Sequence, residues 1–489
     1  MLMNVSLKNP DLMQQANLVG GEWITTGAAG TIPVTDPATG VMLGTVPNCG
    51  KAETAQAIAA AAQAFPDWRA KLATERAELL RRLHALILEH QDDLARLLTA
   101  EQGKPLAEAR AEVGMSAAYV LWFAEEARRI YGDVIPSPWK HRKILVTKEP
   151  VGVVGAITPW NFPSSMIARK LGAALAAGCT VVIKPASQTP YSGLAWGVLC
   201  EKAGIPGGVV NIVTGSAREI GAELTSNPVV KKITFTGSTE IGKLLMGQSA
   251  STMKKISMEL GGNAPFIVFD DADLDRAVEG AVAAKYRNAG QTCVCTNRFL
   301  VQDGIYDAFG KRLAEASNNL KVGNGFEDGV NQGPLIDDRA VDKVEEHIKD
   351  AVSKGAKVLA GGSRHQLGGS FFQPTVLSHV TPEMAVAREE TFGPLSPLFR
   401  FSEESEAIRL ANATEYGLAC YFYTRDLGRA FRVSEALEYG LVGVNEGIIT
   451  TEVAPFGGFK ESGVGREGSK YGVEDYLNVK YTCIGGLAA

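Results

Sequence analysis

The sequence predicts an α/β protein with doubly wound parallel sheets, and two observations carry that prediction. Short β-branched runs alternate with helix-patterned stretches over residues 151–268 and again over residues 270–436. Parallel neighbours need a crossover helix between them, so this alternation is the pattern of a parallel sheet covered on both faces. The chain is also long: 489 residues are enough for two or three domains at roughly 150 residues each.

In chain order, residues 51–103 and 107–130 repeat apolar positions at three and four, the spacing of helices with one buried face. Residues 143–154, KILVTKEPVGVV, switch to β-branched runs and predict a hairpin or an extended excursion. VGVVGAIT, TVVIKPA, GVVNIVTG and KKITFTG then read as strands, with helices at 166–177, at 193–203 and over STEIGKLLMGQSA. The second alternating region holds NRFLVQDG, AKVLAGG and FFQPTVLSHV. The glycine-rich tail, 444–486, returns to a strand-like end, YLNVKYTCIGG.

Composition narrows the function classes. Apolar residues at 45% and charged residues at 21% are those of a soluble globular protein. A net charge of −5 gives no global reason to bind nucleic acid or an anionic membrane. No apolar run approaches the ~20 residues of a bilayer span, and the start, MLMNVSLKNPDLMQQ, lacks the pattern of a signal peptide. Seven cysteines, of which only Cys293 and Cys295 are close in sequence, make no disulfide framework, so a cytoplasmic, reducing location is expected. The six histidines form no ligand-spaced cluster, and no metal site is expected.

Five segments carry chemistry. Asn288-Ala-Gly-Gln-Thr-Cys-Val-Cys-Thr-Asn-Arg298 sets Cys293 in a polar loop. It is either a nucleophile, once its thiolate is favoured, or one of two ordinary loop thiols. Ser257-Met-Glu-Leu-Gly-Gly-Asn-Ala-Pro265 holds Glu259 among apolar residues and glycines. Desolvation there suits a general base, unless the carboxylate pairs with Lys254 or Lys255. In Thr158-Pro-Trp-Asn-Phe-Pro163, two prolines stiffen the turn that presents Asn161. That amide either donates to an oxyanion or caps the next helix. Phe235-Thr-Gly-Ser-Thr-Glu-Ile-Gly242 lies where a strand gives way to a helix. Gly237 admits close backbone approach there, Ser238 can cap the helix, and the free N–H groups suit a diphosphate. Val181-Val-Ile-Lys-Pro-Ala-Ser-Gln-Thr-Pro190 puts Lys184 at a strand's C-terminal end, where ligands of open α/β sheets collect; a solvated lysine is the plainer alternative.

Together PWNFP, VIKPAS, FTGSTEIG, MELGGNAP and GQTCVC, with Glu389-Glu-Thr-Phe-Gly-Pro394 and Pro455-Phe-Gly-Gly-Phe-Lys-Glu-Ser-Gly463, resemble the aldehyde dehydrogenase superfamily in order and rough spacing. The succinate-semialdehyde branch is the nearest, from Met166-Ile-Ala-Arg-Lys170, FIVFDDADLD and GREGSKYGVEDYL. The resemblance implies a coenzyme-binding domain from residues 1–136 and 155–260, a catalytic domain from 261–437, and a small β oligomerisation arm from 137–154 and 438–489. It implies a homo-oligomer, a dimer or a tetramer, acting on a small-molecule semialdehyde.

The resemblance further implies that Cys293 attacks the aldehyde, Asn161 and the Cys293 N–H hold the oxyanion, and Glu259 activates water against the thioester. Trp160, Lys184, Ser187, Thr236, Gly237, Ser238 and Glu390 would bind the coenzyme. Relatives that use NAD often carry Glu where Ser187 stands, so NADP is expected, with NAD tolerated and no metal. Arg169 and Arg287 would clamp the distal carboxylate, unless they form surface ion pairs, with a hydroxyl from Thr450 or Thr451. Cys295 would form a reversible redox lock with Cys293 or serve as a packing thiol. A glutarate-semialdehyde or broader aliphatic aldehyde dehydrogenase is the alternative. The presence of Glu259 argues against a CoA-acylating relative, and intact Cys293, Glu259 and Asn161 argue against a non-enzymatic binding protein.

Overall fold

A computed structural model describes residues 5–487; the first four residues of the N-terminal stretch read above for targeting lie outside them. Two twisted sheets and a three-stranded arm organise the chain. The first sheet orders its strands Gly463–Val464, Lys255–Glu259, Val230–Thr236, Val153–Ile157, Thr180–Lys184, Val210–Ile212, Asn17–Val19 and Glu22–Ile24. Five consecutive strands of it, from Lys255–Glu259 to Val210–Ile212, run parallel. Thr180–Lys184 is buried along its whole length, which is why TVVIK carries no polar alternation.

The chain lays down Val153–Ile157, builds outward through Thr180–Lys184 and Val210–Ile212, then returns to add Val230–Thr236 on the other side of Val153–Ile157. The direction of winding reverses between these two strands, and a crevice opens at their C-terminal ends. PWNFP leaves one strand at that point and FTGS leaves the other.

The second sheet orders Lys357–Ala360, Thr375–Ser378, Leu395–Phe401, Thr296–Gln302, Ala264–Val268, Ala419–Tyr423 and Leu441–Val444, all parallel beyond the first pair. The buried link at residues 260–263 joins the two sheets. Leu441–Val444 lies past residue 437 yet pairs with Ala419–Tyr423, and Gly463–Val464 returns to the first sheet beside Met258 and Glu259. The arm joins Asp133–Ile135, Lys143–Pro150 and Leu477–Ile484 in antiparallel register. The excursion expected at 143–154 is therefore the middle strand of that arm, and Val153 onward belongs to the first sheet.

The helix Leu274–Tyr286 ends in a tight turn. Asn288, Ala289 and Gly290 all have positive φ, at 52°, 56° and 75°. At Gly290 a Cβ would stand 2.3 Å from the Gly393 carbonyl oxygen, so only glycine fits. Ala289 pays about 1–2 kcal/mol for its left-handed conformation, and a turn so strained persists only when its surroundings over-determine it. The turn feeds directly into Cys293 and the strand Thr296–Gln302.

Candidate active site

Cys293 stands where two cavities meet. The larger, about 230 Å³, lies over the switch point and is lined by Trp160, Asn161, Thr236, Gly237, Ser238, Gly261, Glu390 and Phe392 together with Cys293. The smaller, about 20 Å³, is lined by Phe162, Ser165, Arg169, Arg287, Thr292, Thr450 and Phe456, again with Cys293. Cys293 thus belongs to the wall both of the groove at the switch point and of a recess that holds two arginines.

Cys293 is partly buried among the residues that line these cavities. Loss of solvent pushes the Cys293 thiol up to about 12, with the Arg169 guanidinium pulling in the opposite direction. The Asn161 side chain is fixed by its surroundings: Oδ1 accepts the Phe162 N–H at 3.1 Å and Nδ2 donates to the Gln291 carbonyl at 3.0 Å. That leaves the second Nδ2 hydrogen free. The alternative of a helix cap falls away, because Ser164 occupies the N-cap of Ser165–Ala177.

Glu259 is 2% exposed, and neither carboxylate oxygen has a hydrogen-bond partner. Burial, then the negative charge of Glu467, raise it well above the usual carboxylate range, against the pull of Lys170, Arg169 and Arg466. The proposed pairing with Lys254 or Lys255 does not occur: Lys254 caps the Asn227 and Val230 carbonyls, and Lys255 donates to that of Leu477. Glu467, given no role in the sequence reading, is the hub of this cluster. It pairs with Lys170 and lies 3.8 Å from the Arg169 guanidinium. Lys170 also donates to Thr236 Oγ1 at 2.7 Å.

Arg169 and Arg287 are not surface ion pairs. Arg169 is 2% exposed, its guanidinium held between the Phe456 and Tyr119 rings at 4.3 and 4.9 Å. Its Nε and Nη1 have no hydrogen-bond partner, nor does Ser165 Oγ beside it. Arg287 is half-buried against the Phe162 ring, and among the described residues no carboxylate lies within 4 Å of it. Thr450 faces this recess, whereas Thr451 bonds to Glu452 and accepts from Tyr119.

The groove has the makings of a coenzyme site. A Cβ at Gly237 would meet the Phe235 ring at 2.4 Å. Ser238 stands at the N-cap of Thr239–Ser249 but makes no side-chain capping bond, contrary to the expectation from sequence; its hydroxyl is left to the cavity it lines. Glu390, pushed up to about 8 by loss of solvent, accepts the Gly262 N–H at 3.2 Å. Trp160 packs edge-on against Phe392. Lys184 and Ser187 lie at the end of Thr180–Lys184, outside the main cavity wall. Lys184 is buried, lowered to about 8 by desolvation, and reaches Ser187 Oγ at 3.4 Å. Cys295 is buried against Lys285, which donates to its sulfur at 3.4 Å and to the Thr296 carbonyl at 2.8 Å. All seven cysteines are free.

Residues 23–482 match the model of the aldehyde dehydrogenase family. The chain belongs to the aldehyde dehydrogenase family. Similar relatives include a 3-sulfolactaldehyde dehydrogenase of Pseudomonas putida, 62% identical over 99% of both chains. A glutarate-semialdehyde dehydrogenase of Pseudomonas aeruginosa is also 62% identical, over 99% of this chain and 100% of the relative. The NADP succinate-semialdehyde dehydrogenase of Escherichia coli K12 is 61% identical over 98% of this chain and 100% of the relative. A solved succinate-semialdehyde dehydrogenase of Burkholderia pseudomallei, 59% identical, superposes with a TM-score of 0.98 over 98% of this chain and 100% of that one. Among the described residues there is no cluster of His, Cys, Asp or Glu that could hold a metal, and no helix long and apolar enough to cross a membrane.

As an aldehyde dehydrogenase the site should respond to pH in one direction. Burial raises the Cys293 thiol to about 12 and the Glu259 carboxyl well above its usual range, and a reaction that needs either group deprotonated speeds up as pH rises. The rate should therefore climb from about pH 6 to about pH 9. A steady-state profile that is flat or falls over that range would contradict this electrostatic picture.

Proposed function

We propose that this aldehyde dehydrogenase oxidises an ω-carboxy aldehyde, succinate semialdehyde or its one-methylene-longer glutarate homologue, to the dicarboxylic acid, with NADP preferred over NAD. The observation that carries the reading is the buried Arg169 guanidinium, two of whose nitrogens make no hydrogen bond and whose ion-pair partner Glu467 stands 3.8 Å away, in a recess shared with Cys293 and Arg287. A buried Arg donor left unpaired is costly, and a carboxylate supplies the planar two-oxygen acceptor that a guanidinium fork fits. The succinate- and glutarate-semialdehyde relatives lend it support.

In this reading Cys293 Sγ bonds to the aldehyde carbon and the carbonyl electron pair moves to oxygen. The free Nδ2 hydrogen of Asn161 and the Cys293 N–H stabilise that oxyanion. A bound nicotinamide coenzyme supplies the two-electron oxidant. The oxidised adduct is a thioester on Cys293; Glu259 takes a proton from attacking water, and the thiol leaves as the acid forms.

Coenzyme choice rests on Lys184 and Ser187. A desolvated ammonium with one long hydrogen bond gains from a neighbouring phosphate, and Ser187 donates where a carboxylate would repel. Trp160, Thr236, Gly237, Ser238 and Glu390 would hold the remainder of the dinucleotide. We also assign the chain to the cytoplasm and to a homo-oligomer, in which the exposed strand Leu477–Ile484 provides an edge for pairing with a second copy. Cys295 would join a redox lock only if released from Lys285.

A second reading has its own observation. Arg169 Nε, Arg169 Nη1 and Ser165 Oγ are three donors without a hydrogen bond on one recess, more than the two oxygens of a carboxylate need. A sulfonate has three oxygens, and the 3-sulfolactaldehyde relative makes a sulfo-aldehyde the competing substrate. A kinetic panel of succinate semialdehyde, glutarate semialdehyde, 3-sulfolactaldehyde and an uncharged aldehyde ranks them. Arg287→Ala should raise KM for the charged substrates by roughly 100-fold, the worth of a charge-assisted pair, and leave the uncharged one nearly untouched. Equal losses on all four would remove the clamp.

The coenzyme assignment has a separate readout. kcat/KM should be higher with NADP than with NAD, and Ser187→Glu should reverse the order. A parent enzyme that favours NAD, or a Ser187→Glu variant with unchanged preference, would overturn it.

A further inference from the structure

The helix Leu106–Glu126 carries two carboxylates four residues apart, and each reaches one of the two loops that make the reaction centre. Glu112 Oε1 accepts the N–H groups of Ser164 and Ser165, at 2.9 and 3.2 Å, just past Asn161. Glu108 Oε2 accepts the N–H of Asn288 at 2.8 Å, the first left-handed residue of the turn leading to Cys293. Between the carboxylates lies Lys104, whose side chain is fully buried.

Lys104 Nζ bonds Glu112 Oε2 at 2.6 Å and sits 3.9 Å over the Phe162 ring. It also donates to the main-chain carbonyl of Asn161 at 2.7 Å. The same carbonyl receives the side-chain amide of Asn288 at 3.0 Å. Two donors, one from Lys104 and one from the nucleophile loop, thus pin the peptide plane from which the Asn161 side chain projects. A lysine present only to neutralise Glu112 would not need the second bond, and Glu112 already has two backbone donors of its own.

We propose that Lys104 is a positioning residue for aldehyde oxidation: its bond to the Asn161 carbonyl fixes where the Asn161 amide stands relative to Cys293. This rests on the reading of Asn161 as the oxyanion donor. An amide allowed to drift by about 1 Å loses on the order of 100-fold in rate, while coenzyme binding and the thiol itself are untouched.

The test compares Lys104→Met, Lys104→Met/Glu112→Gln and Asn161→Ala with the parent full-length enzyme. The readouts are kcat, coenzyme affinity by fluorescence quenching, thermal stability, and the rate at which iodoacetamide alkylates Cys293. Lys104→Met should lose on the order of 100-fold in kcat, with coenzyme affinity and alkylation rate unchanged. The double variant removes the Glu112 charge together with that of Lys104, and Glu108 keeps the Asn288 N–H and the nearby Arg287, so it should recover stability but not kcat. Recovery of kcat in the double variant would make Lys104 a charge-balancing residue and overturn the proposal. So would parental kcat in Lys104→Met, a matching fall in alkylation rate, or failure of both Lys104 variants to fold. If Asn161→Ala keeps parental kcat, the oxyanion reading itself fails; if it loses activity while Lys104→Met does not, only the positioning role fails.

Discussion

The partial burial of one sulfur atom, still open to the cavities it lines, governs the arrangement around it. Cys293 sits where residues 260–263 join the two sheets, and the same desolvation that raises its thiol raises Glu259 and Glu390. A wet site would leave all three near ordinary values. Desolvation disfavours the thiolate, and fixed charges oppose it: Arg169 at Cys293, and Lys170, Arg169 and Arg466 at Glu259. Low dielectric strengthens each of these interactions.

The cost of burying those charges explains much of the surrounding structure. An unpaired buried ion is expensive, whereas a paired and hydrogen-bonded one is tolerated. Lys170 is matched by Glu467, and Lys104 by Glu112. Glu101 follows the same logic away from the site, its carboxylate receiving the Tyr191 and Ser192 N–H groups at the start of Pro190–Ala203. The exceptions are informative. Two nitrogens of Arg169 and both carboxylate oxygens of Glu259 make no hydrogen bond, and in the proposed reaction these are the groups that would meet substrate and water.

What the sequence disclosed follows from what chemistry demands of local residues. The parallel strands were legible because buried runs such as TVVIK have no polar face to present. Cys293, Asn161 and Gly237 were legible as candidates because each is a particular residue type in a particular turn, and the structure brings them to one cavity. Glu467 was not: its partner Lys170 is 297 positions away in the chain, and neither neighbourhood carries a local mark of the pairing. Ser165 and Lys104 were hidden for the same reason, since a serine at a helix start and a lysine before a proline look ordinary until the fold surrounds them. Ser238 shows the reverse error, a residue with the right type and place for a cap whose hydroxyl makes no capping bond. Leu441–Val444 and Gly463–Val464 escaped assignment because short strands in a glycine-rich tail take their sheet from tertiary pairing.

The central claim is that Cys293 carries the substrate as a thioester while Glu259 controls its release. The direct measurement is to mix the Glu259→Gln enzyme with succinate semialdehyde and NADP, quench in acid, and map the adduct by peptide mass spectrometry while following NADPH absorbance. The account predicts a burst of NADPH close to one per active site and a succinyl group on Cys293. A burst with no acyl group on Cys293, or steady parental turnover without a burst, would contradict it.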